Sequence, residues 1–317
     1  MNNPDVKSLG ISFSSGNIRF TDLLYRSDTT VLDHADSLEV DFNFEEDLSK
    51  FKSNQRALTN ISGEIQKYIS KRNTYYSNVS ATISTSQAFL ITLPIEYSEG
   101  KKAINSKIYW ELSNYFPDTY SEYMVNTYRL DSKIPSLGTD DFLIIAVHKN
   151  TLEFIKRIFK LCGLELAIVD IDHFAAEQNL KRNYSDMLNG RNILLIGLKE
   201  GRVDYGFISN KKYRYYSYST YNSKPQFNLS LVRKLNSLMG TGFAKPGIDT
   251  VFIYGDNVSE DIIQLIKKTV NLKIQLLNPF ENINSSTEIL RNEELRRYPF
   301  RFAASCGVAL RSLTKII

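Results

Sequence analysis

Near its start the chain contains the stretch Leu9-Gly10-Ile11-Ser12-Phe13-Ser14-Ser15-Gly16-Asn17-Ile18, in which a polar turn separates two apolar runs. Leu9–Phe13 is strand-like, and Ile18–Tyr25 has the composition of a returning strand. Glycine and asparagine between two such runs favour a tight turn, because glycine adopts a positive φ at no steric cost. The sequence therefore predicts an opening β-hairpin.

The same pattern recurs about 190 residues later. Ile193–Leu198 is an apolar strand, Glu200-Gly201-Arg202 has turn chemistry, and Val203–Ile208 returns. An internal repeat of this kind indicates a duplicated structural unit. With the amphipathic helices predicted between the strands, it favours two α/β domains that face one cleft.

Length and composition exclude several classes of protein. The 317 residues correspond to about two domains, and 42% hydrophobic with 23% charged residues is typical of globular chains. The apolar runs, such as 142–147, are much shorter than the roughly 18 residues that span a bilayer. The two cysteines are too few for a disulfide scaffold, and the net charge of +4 does not by itself indicate nucleic acid or an anionic membrane.

Further along, a strand beginning at Ala88 is expected to be broken by Pro94, and a helix is predicted for Ile104–Phe116. The chain closes with a predicted helix, Arg301–Leu313, which is rich in small residues. Small side chains there would let backbones pack closely.

Five motifs in the same order give the chain a family resemblance. They are Leu9 to Ser15, against the family's leucine-glycine-isoleucine-aspartate-isoleucine-glycine-serine; Trp110-Glu111 with Tyr115, Pro117 and, further on, Tyr128; Gly163-Leu164 with Val169-Asp170 and Ala175; Asn278-Pro279-Phe280; and Arg301-Phe302-Ala303 with Gly307 and Ala309-Leu310. On these motifs the chain resembles the type IV pilus assembly protein PilM family, which has an actin-like fold related to FtsA.

The resemblance implies an α/β fold, namely an actin-like (ribonuclease H-like) duplicated two-domain fold with a small inserted α/β subdomain. It places the first domain at residues 1–94 and 166–190, the inserted subdomain at 95–165 and the second domain at 191–297. Residues 298–317 are then a C-terminal helix that returns to the first domain.

The chain departs from the family where actin-like proteins hold ATP with Mg²⁺. The first aspartate is replaced by Ser12, the glycine two positions on by Ser14, and the second aspartate by Leu195. Without these carboxylates little organises the metal, so we expect no cofactor and no hydrolysis, although Lys199 could still pair with a phosphate. The resemblance assigns the vestigial nucleotide cleft to ten residues: Ser12, Ser14, Ser15, Gly16, Asn17, Gly197, Lys199, Gly255, Asp256 and Asn257.

The family also implies a partner. In it, the cytoplasmic tail of an inner-membrane protein called PilN docks in a groove between the inserted subdomain and the first domain. Here the candidates for that groove are Trp110, Tyr115 and Phe116, although Trp110 can equally pack the core of the subdomain. The resemblance implies a cytoplasmic protein held at the inner membrane by this partner, with no membrane insertion of its own, and it leaves a homo-oligomer open.

Two other functions stay open at this point. One is an active ATP-binding actin-like protein or a kinase-like enzyme, which the missing carboxylates disfavour. The other is a single-stranded nucleic-acid binder that uses Lys211-Lys212-Tyr213-Arg214-Tyr215-Tyr216, although a two-faced β-ribbon explains this pattern better and we expect no nucleic acid as a partner.

Four further residues have simple structural interpretations. Asp170 and Asp172 are read as a helix cap and a first-turn acid, and Cys162 and Cys306 as packing residues.

Overall fold

The structure is a computed structural model that describes residues 5–96, 100–131, 139–240, 247–286 and 289–313. Its strands are β1 Val6–Ser14, β2 Asn17–Arg26, β3 Thr29–Glu39, β4 Asn78–Ile83, β5 Ala88–Glu96, β6 Tyr123–Arg129, β7 Thr139–His148, β8 Leu166–Ile171, β9 Asn192–Lys199, β10 Arg202–Ser209, β11 Lys212–Thr220, β12 Thr250–Tyr254, β13 Lys273–Leu276 and β14 Asn284–Ser285. Its helices are α1 Gln55–Arg72, α2 Lys101–Tyr115, α3 Lys149–Leu161, α4 Asp172–Asn183, α5 Lys224–Gly240, α6 Glu260–Val270, α7 Glu293–Arg297 and α8 Ala303–Leu313.

Two of the three sheets share one topology. The first has the order β14-β3-β2-β1-β4-β8 and the second the order β11-β10-β9-β12-β13. In both, an antiparallel three-stranded meander is followed by two strands that pair in parallel. The predicted duplicated α/β architecture is therefore confirmed.

The turns of the meanders repeat as well. Ser27 and Asp28 join β2 to β3, Asn210 and Lys211 join β10 to β11, and all four have positive φ. Such two-residue turns match the right-handed twist of the strands that they connect. In the first hairpin the prediction was wrong in one detail, because Ser15 rather than the neighbouring glycine has the left-handed φ, at 42°.

The third sheet, with the order β5-β7-β6, forms the body of the inserted subdomain. Helix α2 covers one face of it, where Ile108 and Leu112 are buried with Ile144. The predicted break at Pro94 is wrong, since β5 continues to Glu96. Proline is tolerated there because β5 is an edge strand, so its missing N–H removes no hydrogen bond of the ladder.

Helices α1 and α3 pack side by side over one face of the first sheet, where Leu58, Ile65, Ile155 and Phe159 are fully buried in the largest core. Helix α8 packs on the other face. Its Ser305 hydroxyl lies 2.8 Å from that of Thr21 on β2.

Small residues bring α8 close to its neighbours, as the sequence predicts. A Cβ on Gly10 of β1 would overlap the carbonyl oxygen of Ser305, and a Cβ on Gly307 would overlap that of Ala175 on α4. In addition, the Ser8 hydroxyl donates to the carbonyl of Ala309 at 3.0 Å.

Candidate functional site

The candidate site lies where the β1–β2 turn, the β9–β10 turn and the loop after β12 meet. The hydroxyl of Ser15, in the first turn, donates to Glu200 Oε2, in the second, at 3.0 Å. The loop after β12 holds Asp256 and Asn257, and the backbone N–H of Asn257 donates to the carbonyl of Leu198 at 3.2 Å. All three segments that the sequence assigns to the cleft are thus brought together.

An ion pair connects the first hairpin to the loop after β12. Arg19 on β2 is buried, and its two terminal nitrogens lie 2.9 Å and 3.1 Å from the carboxylate oxygens of Asp256. Ser14 accepts from Arg19 at 3.0 Å and donates to Asp256. The carboxylate of Asp256 therefore binds the protein's own guanidinium, a contact that nothing in the local sequence pattern indicates.

The glycines of the site are approached closely by protein atoms. A Cβ on Gly197 would lie 2.6 Å from the hydroxyl oxygen of Tyr254. Gly255 has a φ of 111°, and a Cβ there would overlap the carbonyl of Leu198. The space that a bare glycine leaves for a phosphate is, at both positions, filled by the chain itself.

The other residues of the first hairpin contribute less. Ser12 is buried in β1 opposite Arg19, and Gly16 and Asn17 are half-buried in the turn. Leu195 is fully buried in the core of the protein.

Lys199 is the centre of a second, fully buried cluster between the two sheets. Its ammonium lies 2.6 Å from both carboxylate oxygens of Asp172 and 2.9 Å from Asp204 Oδ2. It also donates to the hydroxyl of Thr85 at 2.6 Å. Thr85 and Asp172 follow strands of the first sheet, whereas Lys199 and Asp204 lie on the second, so one ammonium joins the two halves.

Asp204 is the acid that sequence reasoning missed. Arg202 Nε lies 2.9 Å from its Oδ1, the Tyr216 hydroxyl donates to the same oxygen at 2.6 Å, and the Thr85 hydroxyl donates to Oδ2 at 2.7 Å. The sequence pattern that could have indicated Asp204 is a single aspartate two residues after an arginine on an apolar strand. Such a residue has to find a cation if it is buried.

The charges of this cluster stabilise one another. Burial alone would raise the pKa of Asp204, but the Lys199 and Arg202 cations outweigh it and hold that pKa far below its usual value. Burial raises the pKa of Asp172 to about 6, and Lys199 opposes this. The pKa of Lys199 is raised by its two carboxylate neighbours in spite of burial, so the lysine stays charged.

Asp170 and Asp172 differ from the prediction in one respect. Ile171 is the N-cap of α4 and makes no side-chain capping bond, so neither aspartate is the cap. Asp172 is the first-turn acid, accepting from the backbone N–H of His173 at 2.7 Å and of Thr85 at 3.1 Å. Asp170 is the last residue but one of β8 and lies 2.7 Å from a guanidinium nitrogen of Arg311.

A neutral histidine extends the buried cluster. His173 lies between the hydroxyls of Tyr254 and Tyr213, at 2.8 Å and 3.1 Å. Burial lowers the pKa of His173 to about 3, so the ring carries no charge at pH 7. Its two nitrogens are occupied by tyrosines, which suits a core histidine.

The residues present do not fit a Mg²⁺-nucleotide. Mg²⁺ takes carboxylate and water oxygens, and both carboxylates of the buried cluster, Asp172 and Asp204, are bound by Lys199, while Asp256 is bound by Arg19. Within the described ranges, no three His, Cys, Asp or Glu side chains converge to hold a metal ion.

Beside the loop after β12 lies a cavity of about 930 Å³ between α5 and α6. Asp256 and Asn257 line one side of it, and Phe227 and Leu265 line its apolar wall. Its volume suits a small molecule.

The predicted partner-groove residues divide into two groups. The rings of Tyr115 and Phe116 lie 4.8 Å and 5.1 Å from that of Phe89, and Phe116 stacks on Tyr123. Trp110 is 63% exposed, so the interpretation that it packs the subdomain core is wrong. Five residues apart on a helix, Trp110 and Tyr115 point about 140° away from each other.

The lysine- and tyrosine-rich strand β11 is not a stacking platform for bases. Tyr213 and Tyr216 are buried, and the guanidinium of Arg214 pairs with Asp131 at 3.0 Å. Tyr218 is 42% exposed, and Arg202 lies over its ring at 3.8 Å. The ribbon differs from the sequence interpretation, which put tyrosines on one side and cations in water: Tyr213 and Tyr216 pack in one core and Tyr215 against another.

No family model and no curated protein sequence matches the chain. Among solved structures, it is similar to a chain of a PilM-PilN type IV pilus biogenesis complex, with a TM-score of 0.78, 14% identity, and coverage of 98% of this chain and 99% of that one. Less similar structures are a Bacteroides thetaiotaomicron protein with an actin-like ATPase fold (TM-score 0.48, 13% identity, 88% and 92% coverage) and the cytoplasmic domain of EpsL, an inner membrane component of the Vibrio cholerae type II secretion system (TM-score 0.46, 10% identity, 94% and 98% coverage).

In the described residues no helix is both long and apolar enough to cross a bilayer. The resemblance predicted from the motifs is thus confirmed at the level of the fold: the chain has an actin-like fold with the architecture of the similar chain in the PilM-PilN complex.

Proposed function

We propose that the chain is a cytoplasmic, PilM-like scaffold of a type IV pilus or related secretion machine, whose cleft has lost phosphoryl transfer. The observation that carries this proposal is the buried ammonium of Lys199 between Asp172 and Asp204. Phosphoryl transfer depends on positioned charge around a metal and a phosphate. A cleft whose acids hold an internal cation is built to keep its two halves together.

The function of such a scaffold then depends on a surface that binds a partner protein. The inserted subdomain exposes large apolar side chains, with Trp110 at 63%, Met124 at 54% and Tyr115 at 50%. Aromatic side chains of this kind provide most of the binding energy of an interface when a partner covers them. The partner that we propose is a PilN-like, single-span inner-membrane protein that binds through its cytoplasmic tail, because the similar PilM chain was solved with PilN.

Pull-down from detergent-solubilised membranes tests the docking proposal. The tagged chain is expected to recover a single-span membrane protein, and Tyr115→Ala is expected to weaken that recovery roughly tenfold or more, whereas Trp110→Ala, on another side of α2, is expected to weaken it less. Tyr218→Ala, which removes an exposed aromatic from the second domain, is the matched control and is expected to bind like the wild type. Recovery of soluble proteins only, or equal losses in all three variants, would contradict the proposal.

Thermal unfolding with Mg-ATP tests the lost cleft. A ligand at a hundred times its Kd stabilises a protein by about 2.7 kcal/mol, which is readily measured. We expect no shift in Tm at millimolar Mg-ATP relative to magnesium sulfate at equal ionic strength. Arg19→Ala, which removes the ion pair to Asp256, is expected to stay insensitive too, because Lys199 still binds both acids. A saturable rise in Tm would restore the ATP-binding alternative.

A further inference from the structure

Positive charge is concentrated in two segments that pack together. Residues 48–72 and 149–161 contain ten lysines and arginines and two acids, a net charge of +8, although the whole chain carries only +4. The rest of the chain is therefore net negative, at −4. Such an asymmetry creates a local field that the net charge of the protein conceals.

The segments form one outward surface, which we call the basic face: the turn Leu48–Phe51 with Lys52, helix α1 and helix α3. Lys52 Nζ donates to Asn150 Oδ1 at 3.1 Å, Arg157 donates to the carbonyl of Lys52 at 2.6 Å, and Gln66 donates to the carbonyl of Leu161 at 2.8 Å. Both helices bury their apolar stripes in the same core. The polar sides of both helices consequently face solvent on the same side of the protein.

Nine of the ten cations belong to the basic face, because Arg72 turns inward to Asp22 and Asp33. Eight of the nine are exposed, and Arg157 is half-buried. In the described part of the chain, only Lys50 and Lys67 of the nine have an ion-pair partner, and four have neither an ion pair nor a side-chain hydrogen bond: Arg56, Lys71, Lys156 and Lys160. The face therefore has uncompensated charge available for an anionic partner.

We propose that the basic face binds an anionic phospholipid surface. Seven of its nine outward cations are lysines, which act as point charges, whereas sites that grip a phosphate in fixed geometry favour arginine. Its two long helices, about 27 Å and 20 Å, present a broad layer suited to a diffuse charged surface. Polybasic surfaces of this kind are attracted to anionic lipid headgroups.

Nucleic acid fits the basic face less well. Single strands are bound by exposed aromatics on which bases stack. The four aromatic residues of the two segments are all at least partly buried: Phe51, Tyr68, Phe154 and Phe159. Two helices packed flat against a sheet also leave no element that projects into a groove of duplex DNA.

Vesicle co-sedimentation without any partner protein tests this inference independently of the proposed scaffold function. The chain is expected to bind vesicles containing phosphatidylglycerol, to ignore phosphatidylcholine alone, and to dissociate as salt is raised. Each lysine removed is expected to weaken binding about fivefold, so that the triple variant K71A/K156A/K160A binds about a hundredfold more weakly. These three side chains are exposed, and alanine is favourable in a helix, so the variant is expected to fold.

The matched control is K267A/K268A/K273A, which removes the same charge from exposed positions on the second domain. It is expected to bind vesicles like the wild type. Absence of binding to phosphatidylglycerol, equal binding to neutral vesicles, or equal losses in both triple variants would overturn the inference. Tighter binding to single-stranded or duplex DNA than to vesicles at equal salt would also overturn it.

Discussion

Replacing Lys199 by methionine is expected to lower the free energy of unfolding by about 3–5 kcal/mol. Methionine is close to lysine in size but leaves Asp172 and Asp204 buried, near each other and without their shared cation. Breaking a buried ion pair from one side costs far more than a surface pair is worth, because the remaining charge cannot be hydrated. Urea unfolding at pH 7, followed by circular dichroism, measures the loss.

The pH dependence of this loss identifies its cause. Without the ammonium, burial is expected to raise the pKa of the Asp172 carboxyl further above the unfolded value of 3.8, whereas Asp204 keeps its ion pair with Arg202. The folded variant then binds protons that the unfolded chain does not, so its stability is expected to rise as the pH falls through the folded pKa of Asp172. The deficit of Lys199→Met relative to the wild type is thus expected to shrink between pH 7 and pH 5.

Two comparisons make this prediction decisive. Lys268→Met, at an exposed position on α6, is expected to change stability by no more than about 0.5 kcal/mol. The double variant K199M/D172N, which removes the Lys199–Asp172 pair and leaves Asp204 with Arg202, is expected to regain part of the loss. If Lys199→Met unfolds within 1 kcal/mol of the wild type, or its deficit is independent of pH, the cluster does not hold the halves together as described.

Gly307→Ala is expected to destabilise the protein by about 3 kcal/mol, at the upper end of the range for overpacked cores. The added Cβ would overlap the carbonyl oxygen of Ala175, and a backbone atom cannot rotate aside as a side chain can. Helix α8 would have to move away from α4, which would also loosen its contact with Gly10 on β1. Thermal and urea unfolding measure this change.

Gly63→Ala is the matched control, since this glycine lies inside α1 and a Cβ there meets no atom within 4 Å. It is expected to stabilise the protein by about 0.5–1 kcal/mol, because alanine loses less conformational entropy in a helix. A Gly307→Ala variant as stable as the wild type would mean that α8 tolerates a larger separation than the structure shows.

Much of the fold could be predicted because its signals are local. The two opening hairpins are indicated by a few residues of turn chemistry between apolar runs, and their repetition predicts the duplicated architecture. Helix α5 was missed, although its buried positions Phe227, Leu231, Leu235 and Leu238 have helical spacing. Strand β6 was missed for a physical reason, since five of its seven residues are exposed and it lacks an apolar run.

The site was predictable only in outline. The sequence locates the turns that meet at the cleft, because turns are local features. Their contacts join residues that are far apart in the chain, such as Arg19 with Asp256 and Thr85 with Lys199. No periodicity or spacing shows which acid a buried lysine will contact. From the sequence Lys199 was interpreted as a possible phosphate contact, whereas in the structure it binds two aspartates.

The lysine between the halves also has a mechanical consequence. Separating the two sheets would break the contacts of Lys199 with Asp172 and Asp204, so opening the cleft carries a free-energy cost. A protein whose two domains stay together does not by itself alternate between an open and a closed state. Such a rigid protein transmits the movement of a bound partner, and a conformational cycle would have to come from that partner.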